Sequence, residues 1–215
     1  MQAEFIDVDH NTEEWDLLRT GKITCSALGC VMANYGKAFG DPAKKYAVSI
    51  ALGQITGKPM PQGYSNEHME RGHEDEHLAR LAYEAETFCQ VKKGGFFYCD
   101  DFGSSPDGLV GDDGAIEIKC AIPSIHYERI RKQTYDSAYK WQLVGNMMIP
   151  GRKWIDFVSF CPEFPPDKRL YIVKLRACNF KEEFDMVRIR VNEFRRLIKE
   201  TKETILNSNY LIEAA

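Results

Sequence analysis

The sequence has no Cys-x-x-Cys pair, no Walker motif and no Gly-x-Gly-x-x-Gly behind a strand. Each absence removes a class. Without paired cysteines a thiolate zinc site is disfavoured. The seven cysteines, at 25, 30, 89, 99, 120, 161 and 178, are odd in number and widely spaced, so reduced thiols in a reducing compartment are expected. Without a glycine-rich phosphate loop, dinucleotide and P-loop chemistry are disfavoured. No apolar stretch is long enough to span a bilayer, and the acidic N-terminal segment lacks a signal-peptide core. The expected location is the cytoplasm, with no membrane partner. Internal repeats and low-complexity tracts are also missing.

An excess of positive charge is lacking too. Lys plus Arg is 28 against 32 for Asp plus Glu, a net charge of -4. A module that coats nucleic acid through bulk positive charge is therefore excluded, while a local basic patch beside acidic ligands is not. Apolar residues are 44% and charged residues 28% of the 215, which argues against disorder. The length suits a single domain over 1–215, able to bury roughly 70% of its unfolded surface.

The order of elements gives the class. Thr12 caps a short helix to about Leu18, and a second follows Thr24 or Ser26 to about Met32. Asp41-Pro42 reads as an N-cap with proline in the first turn, opening a helix to about Ile55. Residues 56–65 carry Gly57, Pro59, Pro61 and Gly63 and form a turn-rich connection. Leu78, Leu81, Ala82 and Ala85 place a long helix over 67–88. Strands are expected at 96–99, 109–110, 115–120, 154–160 and 170–176. Gly111 to Gly114 forms a tight turn, and helices cover 124–131 and 137–148. The stripe Phe180, Phe184, Val187, Val191, Phe194, Ile198 and Ile205 makes a terminal helix. The fold class is α/β or α+β, a central mixed sheet flanked by helices.

The chemistry concentrates in Ser104-Ser105-Pro106-Asp107-Gly108 and Glu117-Ile118-Lys119-Cys120. Glu117 and Lys119 lie two apart on a strand and share a face, while Ile118 points to a core layer. A hairpin through 112–114 brings Asp107 near Glu117. Two carboxylates and the Ile118 carbonyl form a hard oxygen site suited to Mg²⁺. Lys119 can act as base or as an electrostatic partner of the transition state; spacing does not choose. The same residues also describe a turn beside a solvated strand face.

With RTGKITCS at 19–26, RGHEDEHLAR at 71–80, SPDGLV at 105–110, EIKC at 117–120 and SAYKWQ at 137–142, the sequence resembles the lambda-exonuclease-like viral recombination exonucleases of the PD-(D/E)xK superfamily. The resemblance implies a restriction-endonuclease-like nuclease core and Mg²⁺-dependent 5′-to-3′ degradation of double-stranded DNA ends, leaving 3′ single-stranded tails. It implies two metal ions per site, with Mn²⁺ able to substitute. It implies Asp107, Glu117, Ile118 and Glu76 as metal-site residues, Lys119 as the catalytic lysine, and Gln142 as the residue placing water. A 5′-phosphate pocket falls on Arg19, Ser26 and Ser105. Six residues after Lys119 the family carries an arginine where this chain has Ile125, and Arg129 is the first substitute, with Arg131 the second. A homotrimeric ring and a single-strand-annealing recombinase partner are further implications.

Other readings differ at named residues. Glu76 also fits a surface pair with Arg80, and Gln142 an ordinary polar helix position. Trp15 packs in a core or meets bases, and Lys37, Lys44 and Lys45 solvate a face or meet the DNA backbone. A structure-specific or restriction-type endonuclease would share the acidic core. A non-catalytic DNA-end-binding subunit would not need the Asp107, Glu117 and Lys119 set.

Overall fold

A computed structural model describes residues 3–60 and 67–208 and, over 67–74, the backbone alone. The part of the 56–65 connection at 61–65 therefore lies outside the described residues, as do the side chains of Glu70 and Glu74. The elements run β1 (Glu4–Ile6), α1 (Glu13–Arg19), β2 (Ile23–Thr24), α2 (Leu28–Met32), α3 (Asp41–Thr56), α4 (Glu67–Thr87), β3 (Val91–Lys93), β4 (Phe96–Cys99), β5 (Phe102–Ser104), β6 (Gly108–Val110), β7 (Gly114–Cys120), α5 (Pro123–Lys132), α6 (Lys140–Met148), β8 (Trp154–Phe160), β9 (Leu170–Arg176) and α7 (Lys181–Asn207).

The central sheet is mixed and ordered β3-β6-β7-β8-β9. Only β7 and β8 run parallel, with Glu117 opposite Phe157, and α5 and α6 make the crossover between them. A parallel pair requires such a connection. A second sheet, β1-β4-β5-β2, adds four short strands, three of which are absent from the sequence expectation. Strands of two or three residues are too short to show alternation, which is why they escape notice.

Helices cover both faces of the central sheet. On one face, Ala79 and Tyr83 of α4 join Ile116, Ile118, Val158 and Phe160 in one cluster. On the other, Leu143, Val144 and Met147 of α6 pack with Ala115, Ile155 and Phe157, and the α7 stripe Val187, Val191, Phe194 and Ile198 extends this larger core. Each fully buried Ile or Phe stabilises by roughly 1.5–3 kcal/mol. Ile118 thus points to a core layer, as expected.

Two boundaries move. Thr12 caps α1 by accepting from Trp15 N at 3.2 Å, but the helix extends to Arg19. Asp41 is the first residue of α3 rather than its cap, a position taken by Gly40. An acidic side chain in the first turn still complements the helix dipole.

Candidate active site

The site lies where β6 and β7 diverge. Gly108 pairs with Ile116, and one residue earlier Asp107 N donates to Ile116 O at 3.1 Å. Asp107 Oδ2 accepts from Ile118 N at 2.6 Å. The hairpin thus carries Asp107 onto the strand holding Glu117 and Lys119. Gly94 permits this: a Cβ there would fall on the Pro106 carbonyl oxygen, and no rotamer change relieves a clash with backbone.

Glu117 is completely buried. Its Oε1 accepts from Lys119 Nζ at 2.6 Å and from Gln142 Nε2 at 2.5 Å. Its Oε2 accepts from Asn146 Nδ2 at 2.8 Å, and Ser104 Oγ donates to Asn146 Oδ1 at 2.8 Å. Gln142 and Asn146 are one turn apart on α6 and share the face turned to β7. That i, i+4 relation is the signal by which Asn146, missed in the sequence, was discoverable from Gln142.

Burial, reinforced by Asp107, pushes the Glu117 carboxyl up to about 8, against the opposing pull of Lys119 and Asn146. Burial followed by Asp107 likewise raises Glu76 to about 7. Burial acts to lower the Lys119 ammonium, but Glu117 and Asp107 outweigh it and hold the pKa above its ordinary value. Glu76 and Asp107 line one cavity of about 340 Å³ with Arg80, Lys93 and His10. The structure therefore brings Asp107, Glu117, Lys119, Gln142 and Glu76 together. Crowded carboxylates that resist ionisation in their own company suit a hard cation.

A second group sits beside the first. Arg19 Nη2 donates to Ser26 Oγ at 3.1 Å, and its guanidinium lies 3.7 Å from the Trp15 ring centroid. Trp15 Nε1 donates to Ser105 Oγ at 3.0 Å. Thr24 Oγ1 lies 3.1 Å from Ser26 Oγ, and Tyr46 hydroxyl accepts from Thr24 N at 2.8 Å. Trp15, Arg19, Ser26, Thr24 and Tyr46 line a cavity of about 750 Å³. Ser105 is two residues from Asp107, so one short segment serves both groups. Trp15 is the strut between Arg19 and Ser105, a role between the two readings its sequence allowed.

Arg129 is placed elsewhere. It is 6% exposed, and its Nη1 donates to Ser159 Oγ at 2.9 Å and to Lys119 O at 3.4 Å. Ser159 Oγ is 2.9 Å from His126 Nδ1. The expected substitution of Arg129 into the Arg19 cavity is corrected on this ground: Arg129 does not line that cavity, and its guanidinium is engaged on the same sheet face as Glu117 and Lys119, against the Tyr139 and Phe157 rings, while Ile125 stands exposed on α5. Arg131 is engaged with Glu128 at the surface. Lys37, Lys44 and Lys45 are exposed.

The similarities to known proteins agree with this arrangement. Residues 14–153 match the YqaJ-like viral recombinase domain. The alkaline exonuclease LHK-Exo from Laribacter hongkongensis is 32% identical, with a TM-score of 0.77 over 91% of this chain and 98% of that one. Its crystal structure in complex with dAMP gives the same TM-score at 33% identity, over 91% and 98%. A phage-related exonuclease from Haemophilus somnus 129PT, 18% identical, shares the fold with a TM-score of 0.69 over 86% and 96% of the two chains. No curated protein matches the chain. With residues 14–153, more than half of the chain, matched by the family model, the chain belongs to the YqaJ-like viral recombinase family.

Proposed function

We propose that this protein is a metal-dependent exonuclease that degrades linear double-stranded DNA from its 5′ ends and leaves 3′ single-stranded tails for recombination. The observation carrying this reading is the pairing of two groups across Ser105-Pro106-Asp107. One is an acidic cluster with a lysine; the other is an arginine–serine group suited to a terminal phosphate. Arginine offers a planar fork of donors to phosphate oxygens. A site that holds a chain end beside a site that cleaves explains end preference without base readout.

By family resemblance the metal is Mg²⁺, with Mn²⁺ as substitute and two ions per site; among the described residues no three His, Cys, Asp or Glu already stand gathered around a metal position, and Asp107, Glu117 and Glu76 would supply oxygens, with the Ile118 carbonyl adjacent. When bound, the metal offsets charge on the scissile phosphate and lowers the pKa of water. Lys119, an ammonium held by Glu117, is placed to stabilise charge developing on the phosphate oxygens. Gln142, a donor and acceptor at neutral charge, orients the attacking water.

A homotrimer enclosing the duplex, a single-strand-annealing recombinase partner, one nuclease domain over 1–215 and a cytoplasmic location complete the proposal on grounds of family resemblance. No helix among the described residues is long and apolar enough to cross a membrane. The deciding experiment compares closed circular and linearised plasmid in Mg²⁺. Digestion of the linear form alone is expected; cutting of the closed circle would assign an endonuclease.

A further inference from the structure

Glu117 accepts three hydrogen bonds inside the protein, and its two oxygens differ in who supplies them. The donors to Oε1, Lys119 and Gln142, are partly exposed and belong to the site. The donor to Oε2, Asn146, is 1% exposed, and the hydroxyl that fixes it, Ser104, is also 1% exposed. The carboxylate therefore has one oxygen on the solvent side and one on the interior side.

The orientation of Asn146 follows from chemistry. Asn146 Nδ2 donates to Glu117 Oε2, and in the ionised form that binds a cation the carboxylate only accepts, so the amide NH₂ faces Glu117. The amide oxygen then faces Ser104, whose hydroxyl can donate. Once Glu117 is ionised, reversal would set Oδ1 against Oε2, two acceptors at hydrogen-bond distance with no proton between them. Ser104 is in turn fixed by β5, where it pairs with Phe97. The chain β5–Ser104–Asn146–Glu117 thus joins the second sheet to the acidic centre of the first through α6.

We propose that Asn146, oriented by Ser104, is a positioning residue: it holds Oε2 of Glu117 so that Oε1 is the oxygen presented to a divalent cation. A cation at Oε1 would compete with the donors Lys119 and Gln142, whereas Asn146 would keep its bond to Oε2. Two of the three donors are thus exchangeable, and the third keeps the carboxylate from rotating. This inference rests on the reading of Glu117 as a metal ligand, and the test separates the two.

The experiment titrates metal-free, DNA-free protein with Mn²⁺ alone, followed by calorimetry or electron paramagnetic resonance, with thermal melting as the check on folding. Asn146→Leu keeps volume and removes the donor. Its Mn²⁺ Kd is expected to rise about 10–100-fold, the range typical for loss of an outer-shell partner. Ser104→Ala is the milder variant and should weaken Mn²⁺ in the same direction by a smaller factor. It carries the test if Asn146→Leu does not fold. A folded Asn146→Leu with wild-type Mn²⁺ affinity, or an unchanged Ser104→Ala where Asn146→Leu does not fold, overturns the positioning role. Glu117→Gln runs in parallel: wild-type Mn²⁺ affinity there removes the metal-ligand reading itself and the inference with it. Loss of affinity in Glu117→Gln but not in Asn146→Leu overturns the inference alone.

Discussion

Ile118 N donates to Asp107 Oδ2 at 2.6 Å, beside the bond from Asp107 N to Ile116 O that joins the same two segments. The bond to Oδ2 sets which way the Asp107 carboxylate faces. It also ties Asp107 to the strand that carries Glu117, while Asp107 lines a cavity with Glu76. The first prediction follows. Asp107→Ala or Glu117→Gln should lower cleavage by more than the roughly 10–100-fold typical of an outer-shell change. Melting temperature should change little for Asp107→Ala, which removes a half-buried group. Near-normal digestion of linear duplex by either variant would refute the assignment.

Lys119 makes a different demand. Its proposed benefit is confined to the transition state, so Lys119→Ala should lose turnover while DNA affinity persists. Lys119→Arg should not restore the rate, because a planar guanidinium cannot occupy the place of a compact ammonium between Glu117 and the Tyr139 ring. Single-turnover cleavage at saturating DNA measures this, and equal rates for wild type and Lys119→Ala would end the catalytic role.

Trp15 permits a test of the second group. Trp15→Phe keeps an aromatic face under Arg19 and removes the donor to Ser105. Duplexes with 5′ phosphate should be digested faster than those with 5′ hydroxyl by the wild type. The ratio should shrink in Trp15→Phe and shrink further in Arg19→Ala, where a charge-assisted fork is lost. Indifference of the wild type to the 5′ end would remove the phosphate-site assignment.

The raised carboxyls give a pH dependence with a definite sign. Glu117 near 8 and Glu76 near 7 both lie above their unfolded values. The unfolded chain therefore releases these protons first as pH rises. In metal-free protein, stability from these groups is fully present below the ordinary carboxylate range and is lost between about pH 5 and pH 8. Mn²⁺, which binds the ionised forms, should raise the melting temperature more at pH 8.5 than at pH 5.5. Scanning fluorimetry in chelator and in Mn²⁺ at both values checks this; an equal gain would contradict it.

Gly94→Ala should disable the site without touching it. The added methyl meets the Pro106 carbonyl, so the backbone that holds Asp107 must move. The expected result is a folded protein with a lowered melting temperature and strongly reduced cleavage. Wild-type cleavage by Gly94→Ala would show that Asp107 tolerates displacement.

The sequence showed its acidic centre because Asp107, Glu117 and Lys119 lie within 13 residues and on one hairpin, where strand alternation determines the facing. Glu76, 31 residues before Asp107, needed the family motif, since a helix surface rich in Glu and Asp gives no internal sign of which carboxylate turns inward. Asn146 was marked only by its i, i+4 spacing from Gln142, and the bond between its amide and the Ser104 hydroxyl stayed hidden until two distant segments met. The fate of Arg129 was equally hidden: its partners Ser159 and Lys119 O come from two strands, and only their parallel pairing draws it inward. In the second sheet β4 was legible at 96–99, whereas β1, β2 and β5 are too short to carry a pattern.

Gly145 lies between Gln142 and Asn146 on α6, and a Cβ there would strike the Cys25 sulfur. The absent side chain lets the helix that serves Glu117 rest directly on the turn that carries Ser26. On the proposed reading, that contact makes the protein a ruler. The interval between the held chain end and the cleaved phosphate is then set by how closely α6 seats on the Cys25 and Leu28 side chains, which the missing Cβ at 145 decides.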